Sequence, residues 1–198
     1  MPPDVRAIPG VDDSKLLRAD QRQRLAVKIR ERALAFGIGA ASVREIDRVN
    51  IYHATVIAMR RALSRLGATP NHVLIDGKAI RTLGVEHTAI VDGDDKCYTI
   101  ACASILAKVT RDRIMTALSA RYPSYLWNRN VGYCTPAHLG GIAKVGVTAH
   151  HRRSFLPVRQ LSLDFSPGAA DNIDLETLAR TMASSDDVSD ATIAELES

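Results

Sequence analysis

The stretch Val73-Leu74-Ile75-Asp76-Gly77-Lys78-Ala79-Ile80 sets three apolar residues directly before a carboxylate and a glycine. Val73 to Ile75 read as a short buried strand that Asp76 closes. Asp-Gly is a common strand terminator, because Asp bonds its own backbone and Gly accepts positive φ. The dipeptide alone therefore favours a turn. The carboxyl end of an α/β strand is also where ligands are commonly bound, so a partner carboxylate elsewhere in the chain decides between the two readings.

Outward from that strand the elements alternate. Upstream, Asp20 opens a helix running to residue 33, with Leu25, Ile29 and Ala33 on one face at spacing four. The next segment, ALAFGIGAAS (33–42), reads as a strand. Ser42 caps a second helix from Val43 to Leu66, whose stripe holds Ile46, Val49, His53, Ile57 and Leu63, and which Gly67 and Pro70 stop. On that stripe His53 reads as a satisfied core histidine. Downstream, HTAIVDGD (87–94) supplies a further strand, and 100–118 a long helix whose opening small residues allow close packing on a sheet. This order predicts an α/β domain.

The chain has 198 residues, 46% of them hydrophobic, which suits one domain plus an appendage. It contains no apolar run of membrane-spanning length and no charged-then-apolar leader, so a cytoplasmic protein is expected. Cys97, Cys102 and Cys134 are odd in number and form no CxxC pair, as reduced thiols would. The net charge of +4 hides an asymmetry. Residues 166–198 hold eight acids against Arg180, a net of −7, which leaves +11 on residues 1–165. The composition thus predicts a folded domain over 1–165 and an acidic, largely disordered tail over 166–198. A domain that basic suits a polyanionic partner or a solvated basic surface about equally.

The second carboxylate is Asp94, in VDGDDKCYTIACAS between Asp92 and Asp95. Alone, an acid there would complement the dipole of the following helix. Six segments taken in order say more: DDSK (12–15), EIDRVNI (45–51), LIDG (74–77), GDDKCYTIACASILAKVTRDR (93–113), NVGYCTPAH (130–138) and HRRSF (151–155). Together they resemble ribonuclease HII across residues 8 to about 159.

The resemblance implies a ribonuclease H-like fold, a central mixed sheet flanked by helices. It implies hydrolysis of the RNA strand of RNA–DNA hybrids, including single ribonucleotides in duplex DNA, within replication and ribonucleotide excision repair. Four carboxylates would gather around two divalent cations, Mg²⁺ or Mn²⁺, which take hard oxygen ligands. Asp76 resembles the third of those carboxylates and Asp94 the fourth. Tyr133 resembles the tyrosine that stacks on the sugar at the RNA–DNA junction, although an isolated tyrosine in this setting reads as an interfacial or core aromatic. The family motif there is GYGT, and Cys134 replaces its second glycine. The first two strands of the family, with the motif GIDEAGRG, have no counterpart in residues 1–20, so an impaired enzyme or a catalytically dead nucleic-acid-binding remnant is expected from these 198 residues.

Lys15, Lys108, Arg152 and Arg153 suit phosphate contacts, or else solvation and pairing with an acid such as Asp112. Near the carboxyl end, QLSLDF resembles the short peptides that dock on the replication sliding clamp, with Gln160, Leu163 and Phe165 as contacts. A packing segment with Leu161 and Leu163 at period two is the plainer reading. A monomer without membrane association is expected.

Overall fold

In the computed structural model, which describes residues 1, 6–155 and 158–159, the chain is an α/β protein that divides into two units, Met1–Arg113 and Ile114–Ser198. Residues 160–198, with Gln160, Leu163, Phe165 and the acidic segment, lie outside the described residues.

In the first unit, helix α1 (Ala19–Arg32) starts where the Arg18 N–H donates to Gln21 Oε1 at 2.9 Å. It buries Leu25, Ala26 and Ile29. These pack with Ile8 and with Cys102, Ile105, Leu106 and Val109 of the long helix α4 (Tyr98–Arg121), where Ile105 is fully buried. The expected face holds for Leu25 and Ile29, with Ala26 beside them, whereas Ala33 falls at the C-cap just past the helix.

Helix α2 (Val43–Ser64) opens with a reciprocal cap: the Glu45 N–H donates to Ser42 Oγ at 3.3 Å, and the Ser42 N–H to Glu45 Oε2 at 2.7 Å. Inside it Asn50 adopts φ 66, ψ 172, and its Oδ1 accepts the His53 N–H at 3.1 Å. Asn50 therefore breaks the helix and caps its second half. The break shifts the buried face to Ala54 and Val56. His53 is exposed, which corrects its reading as a core histidine.

The strand expected over 33–42 does not form. Gly37 and Gly39 lie on the backbone of α2, where a Cβ on Gly39 would stand 1.9 Å from the Ala58 carbonyl oxygen. The Ile38 and Ala40 carbonyls accept from Arg65 Nη1 at 3.0 Å and Arg61 Nη1 at 2.7 Å. With its carbonyls satisfied by side chains, the segment runs along a helix without a strand ladder. Arg61 also grips Glu45 with both Nη atoms, at 2.6 and 3.0 Å, and these bonds hold the Glu45 carboxyl down to about 2.

The sheet described consists of β1 (Leu74–Asp76) and β2 (Thr88–Ile90), paired in parallel with Ile75 opposite Ala89 and Asp76 opposite Ile90. Ile75 packs with Val56, Ile80 and Leu83. A one-turn helix, α3 (Gly93–Lys96), follows β2 and precedes α4.

The second unit takes in the end of α4, a 3₁₀ turn (Pro123–Tyr125), α5 (Trp127–Asn130) and α6 (Pro136–Val145). Thr135 caps α6 by accepting the His138 N–H at 3.3 Å, and Pro136 occupies the first turn, where its missing N–H is harmless. The core gathers Tyr125, Trp127, Leu139, Ile142 and Val158. Among the described residues no helix is long and apolar enough to cross a membrane.

Candidate active site

Asp76 ends β1, and the ladder continues one residue past it, the Gly77 N–H donating to Ile90 O at 2.9 Å. The turn expected for Asp-Gly forms, with Gly77 at φ 90. The Asp76 carboxylate itself points elsewhere: Oδ1 accepts the Gly93 N–H at 2.7 Å. That bond ties the end of β1 to the first residue of α3, the chain neighbour of Asp94.

Asp94 is buried at 8% exposure in the first turn of α3, and its Oδ2 lies 3.5 Å from Lys15 Nζ. Asp94 thus stands where the helix-dipole reading expects an acid, and it also meets a cation, Lys15. Lys15 is brought there by the DDSK turn. Asp13 Oδ1 accepts the Lys15 N–H at 2.9 Å, and Ser14 bonds Ser104 of α4 through its hydroxyl at 2.8 Å. The Arg22 guanidinium adds a bond to the Ser14 carbonyl at 3.0 Å. The Lys15 ammonium is held above its usual pKa by Asp94, then Asp13, with Asp76 adding to them.

Gly93 is a site residue that the sequence reading passed over. A Cβ there would stand 2.7 Å from Ile100 Cδ1 and 3.2 Å from Asp76 Oδ1. A side chain here would press the tip of Ile100 and the Asp76 carboxylate aside, so glycine eases the approach of the α3 amide to the strand end. The signal in the sequence is the glycine between Asp92 and Asp94.

In the second unit Tyr133 sits on the loop between α5 and α6 with its side chain outward, at 54% exposure. The loop is fixed by its backbone. Tyr133 N–H donates to Asn130 O at 2.9 Å, and Tyr133 O accepts from Thr135 N at 2.8 Å and from His138 Nδ1 at 2.9 Å. Positive φ falls on Val131 and Gly132. Cys134 is not among the positive-φ residues and packs partly into the core, so its side chain is no burden on the loop.

The basic residues separate. Lys108 Nζ donates to Asp112 Oδ1 at 2.8 Å, in a cluster where Arg22 reaches Asp112 Oδ2 at 3.5 Å. The pairing alternative thus describes Lys108. The Arg152 guanidinium lies 4.4 Å from the centre of the Phe155 ring, and Arg153 is exposed. Among the described residues no group of three or more His, Cys, Asp or Glu is placed to hold a metal ion.

The fold is that of a ribonuclease H2-type protein. It matches the crystal structure of the ribonuclease H2 from Pyrococcus horikoshii OT3 with a TM-score of 0.65, over 78% of this chain and 81% of that one, at 24% identity. The family profile described as Ribonuclease HII matches residues 6–158. Proteins named Ribonuclease HII are similar along most of this chain. That of Thermosynechococcus vestitus is 55% identical over 157 residues, 79% of this chain and 73% of its own length. That of Granulibacter bethesdensis is 51% identical over 152 residues, 76% and 69% respectively. The chain belongs to the ribonuclease HII family.

Proposed function

We propose that this protein is an endonuclease that hydrolyses the RNA strand of RNA–DNA hybrids, including single ribonucleotides embedded in duplex DNA, and leaves 5′-phosphate and 3′-hydroxyl ends. The observation that carries the reading is the bond of the Asp76 carboxylate to the Gly93 amide, next in the chain to Asp94, whose own carboxylate meets the Lys15 ammonium.

The donor set fits a divalent cation of the hard kind, Mg²⁺ or Mn²⁺. Each carboxylate spends one oxygen on the contacts above, Oδ1 of Asp76 and Oδ2 of Asp94, and keeps the other for a metal. Bound there, such an ion would polarise the scissile phosphate and favour formation of a hydroxide nucleophile. Asp76 and Asp94 would hold and orient it. Lys15, kept protonated by its acids, meets a phosphate or yields to the cation. Tyr133, outward on its loop, stacks on the sugar whose 2′-OH distinguishes ribose from deoxyribose. Lys108 and Arg152 stand as further phosphate contacts, Lys108 after release from Asp112.

Two carboxylates do not fit two ions. The 198 residues tested alone are therefore expected to cleave about 10³-fold or more slowly than a relative with four acids. The absence of a three-residue metal cluster among the described residues favours a second reading, a protein that binds hybrids without cutting them. Cleavage of a duplex with one embedded ribonucleotide, in Mn²⁺ against EDTA, separates the two. Metal-dependent product that disappears in Asp94→Asn supports the nuclease, and metal-independent binding without product supports the second reading.

The domain is assigned to 1–165 and the acidic tail to 166–198, in a cytoplasmic monomer. For docking on the sliding clamp through Gln160, Leu163 and Phe165, Phe165→Ala should abolish clamp binding by the full chain; unchanged affinity would remove the idea.

A further inference from the structure

His138 and His151 are both buried at 5% exposure, yet neither belongs to the acid site. Their hydrogen bonds fix which ring nitrogen carries each proton. The Trp127 indole N–H only donates, and it meets His138 Nε2 at 3.0 Å, so Nε2 is an acceptor. The Tyr133 carbonyl only accepts, and it meets His138 Nδ1 at 2.9 Å, so Nδ1 carries the proton. Two independent partners demand the same neutral tautomer.

His151 completes the chain. The Thr148 N–H donates to its Nδ1 at 3.0 Å, which leaves its Nε2–H to donate to His138 Nε2 at 3.2 Å. A proton on His138 Nε2 would face two donors, Trp127 and His151, with no acceptor. Burial also pushes the His138 pKa down, and burial with the neighbouring His138 and His150 takes His151 to about 4. The network is closed, uncharged and directed, and its one bond toward the loop ends on the carbonyl of Tyr133.

We infer that His138 is a positioning residue for substrate recognition: backed by Trp127 and His151, its Nδ1–H holds the Tyr133 carbonyl and so sets the loop that presents the Tyr133 ring to a ribonucleotide. This rests on the proposed role of Tyr133 in reading the sugar. The Thr135 N–H reaches the same carbonyl from only two residues on, so His138 is its longer-range tether, and Val131 and Gly132 make the preceding turn at positive φ. A loop built on that turn needs a side-chain tether to keep one conformation.

Two substitutions split the ring's functions. His138→Asn retains a donor near Nδ1 and loses the Nε2 acceptor, whereas His138→Gln does the reverse. In the full chain, amide hydrogen exchange at Tyr133 and Thr135 should quicken about tenfold or more in His138→Gln, and stay within about threefold of the parent in His138→Asn. The second readout is the ratio of Kd for an all-DNA duplex to Kd for the same duplex with one ribonucleotide. It should fall to near unity in His138→Gln and persist in His138→Asn.

Tyr133→Ala keeps the inference separate from the reading beneath it. If Tyr133→Ala preserves the ratio while His138→Gln loosens the loop, the role of Tyr133 fails and the positioning of the loop stands. If Tyr133→Ala abolishes the ratio and both His138 variants keep it, or if the two variants behave alike, the inference is overturned. Nitrogen NMR of the parent chain gives an answer free of folding defects: His138 should be the Nδ1–H tautomer at pH 7, and an Nε2–H tautomer contradicts the proposal.

Discussion

The acid pair and the tyrosine loop solve the same problem, holding a reactive or recognising group still, with opposite chemistry. Around Asp76 and Asp94 the means are charge and close approach: a backbone amide on one carboxylate, an ammonium on the other and a glycine where no side chain fits. Around Tyr133 the means are burial and neutrality, with two uncharged histidines and an indole behind a carbonyl. Charged restraints at an exposed edge yield to a competing cation, whereas a buried neutral network yields only to protonation or to loss of packing.

That contrast breaks most visibly with pH. Histidines with lowered pKa in the folded state cost stability as soon as the unfolded chain begins to bind their protons. Stability in the second unit should therefore be complete above about pH 6.5, fall as pH drops toward about 4, and lose up to about 3 kcal/mol through His151. Glu45, an acid held low, behaves in the same sense but in a lower pH window. Its contribution in the first unit is present above about pH 4.5 and is lost only as pH falls toward 2. Trp127, the sole tryptophan, reports the first window by fluorescence in urea melts at pH 7.5, 6 and 5. An unchanged midpoint across that range contradicts the neutral network.

Next in size is Gly93→Ala. Its Cβ would press on Ile100 and on the Asp76 carboxylate, which should cost about 1–3 kcal/mol in thermal or urea unfolding. Mn²⁺ affinity should drop about tenfold or more as the strand-end carboxylate is displaced. Stability and metal affinity equal to the parent would show that the close approach is dispensable.

The smallest effect sharpens the role of Lys15. Its side chain is 77% exposed, so its pairing with Asp94 is worth well under 1 kcal/mol. Lys15→Met should tighten Mn²⁺ binding by roughly two- to fivefold, because a competing charge leaves the acids. If instead metal binding is unmoved and hybrid binding weakens with a shallower salt dependence, Lys15 serves a phosphate.

Much of this was legible in the sequence. The face of α1, the Ser42 cap, and the strands that end at Asp76 and Ile90 follow from spacing, from cap chemistry and from the ordered motifs. What escaped was set by contacts far apart in sequence. Residues 33–42 have the composition of a strand, but the arginines that take their carbonyls lie more than twenty residues on. The break at Asn50 was visible only as an asparagine inside an apolar stripe, and it moved His53 from core to surface. His138 and His151 lay inside quoted motifs without a role, since tautomer and burial depend on partners such as Trp127, eleven residues before His138.

The central claim is that Asp76 and Asp94 form a cation-binding carboxylate pair. Calorimetric titration of the full chain with Mn²⁺, alongside Asp76→Asn and Asp94→Asn, tests it most directly. The account predicts saturable binding in the parent that either substitution weakens at least about tenfold, as expected for loss of one of two charged oxygen ligands. Binding of equal strength in all three proteins, or none in the parent, would contradict it.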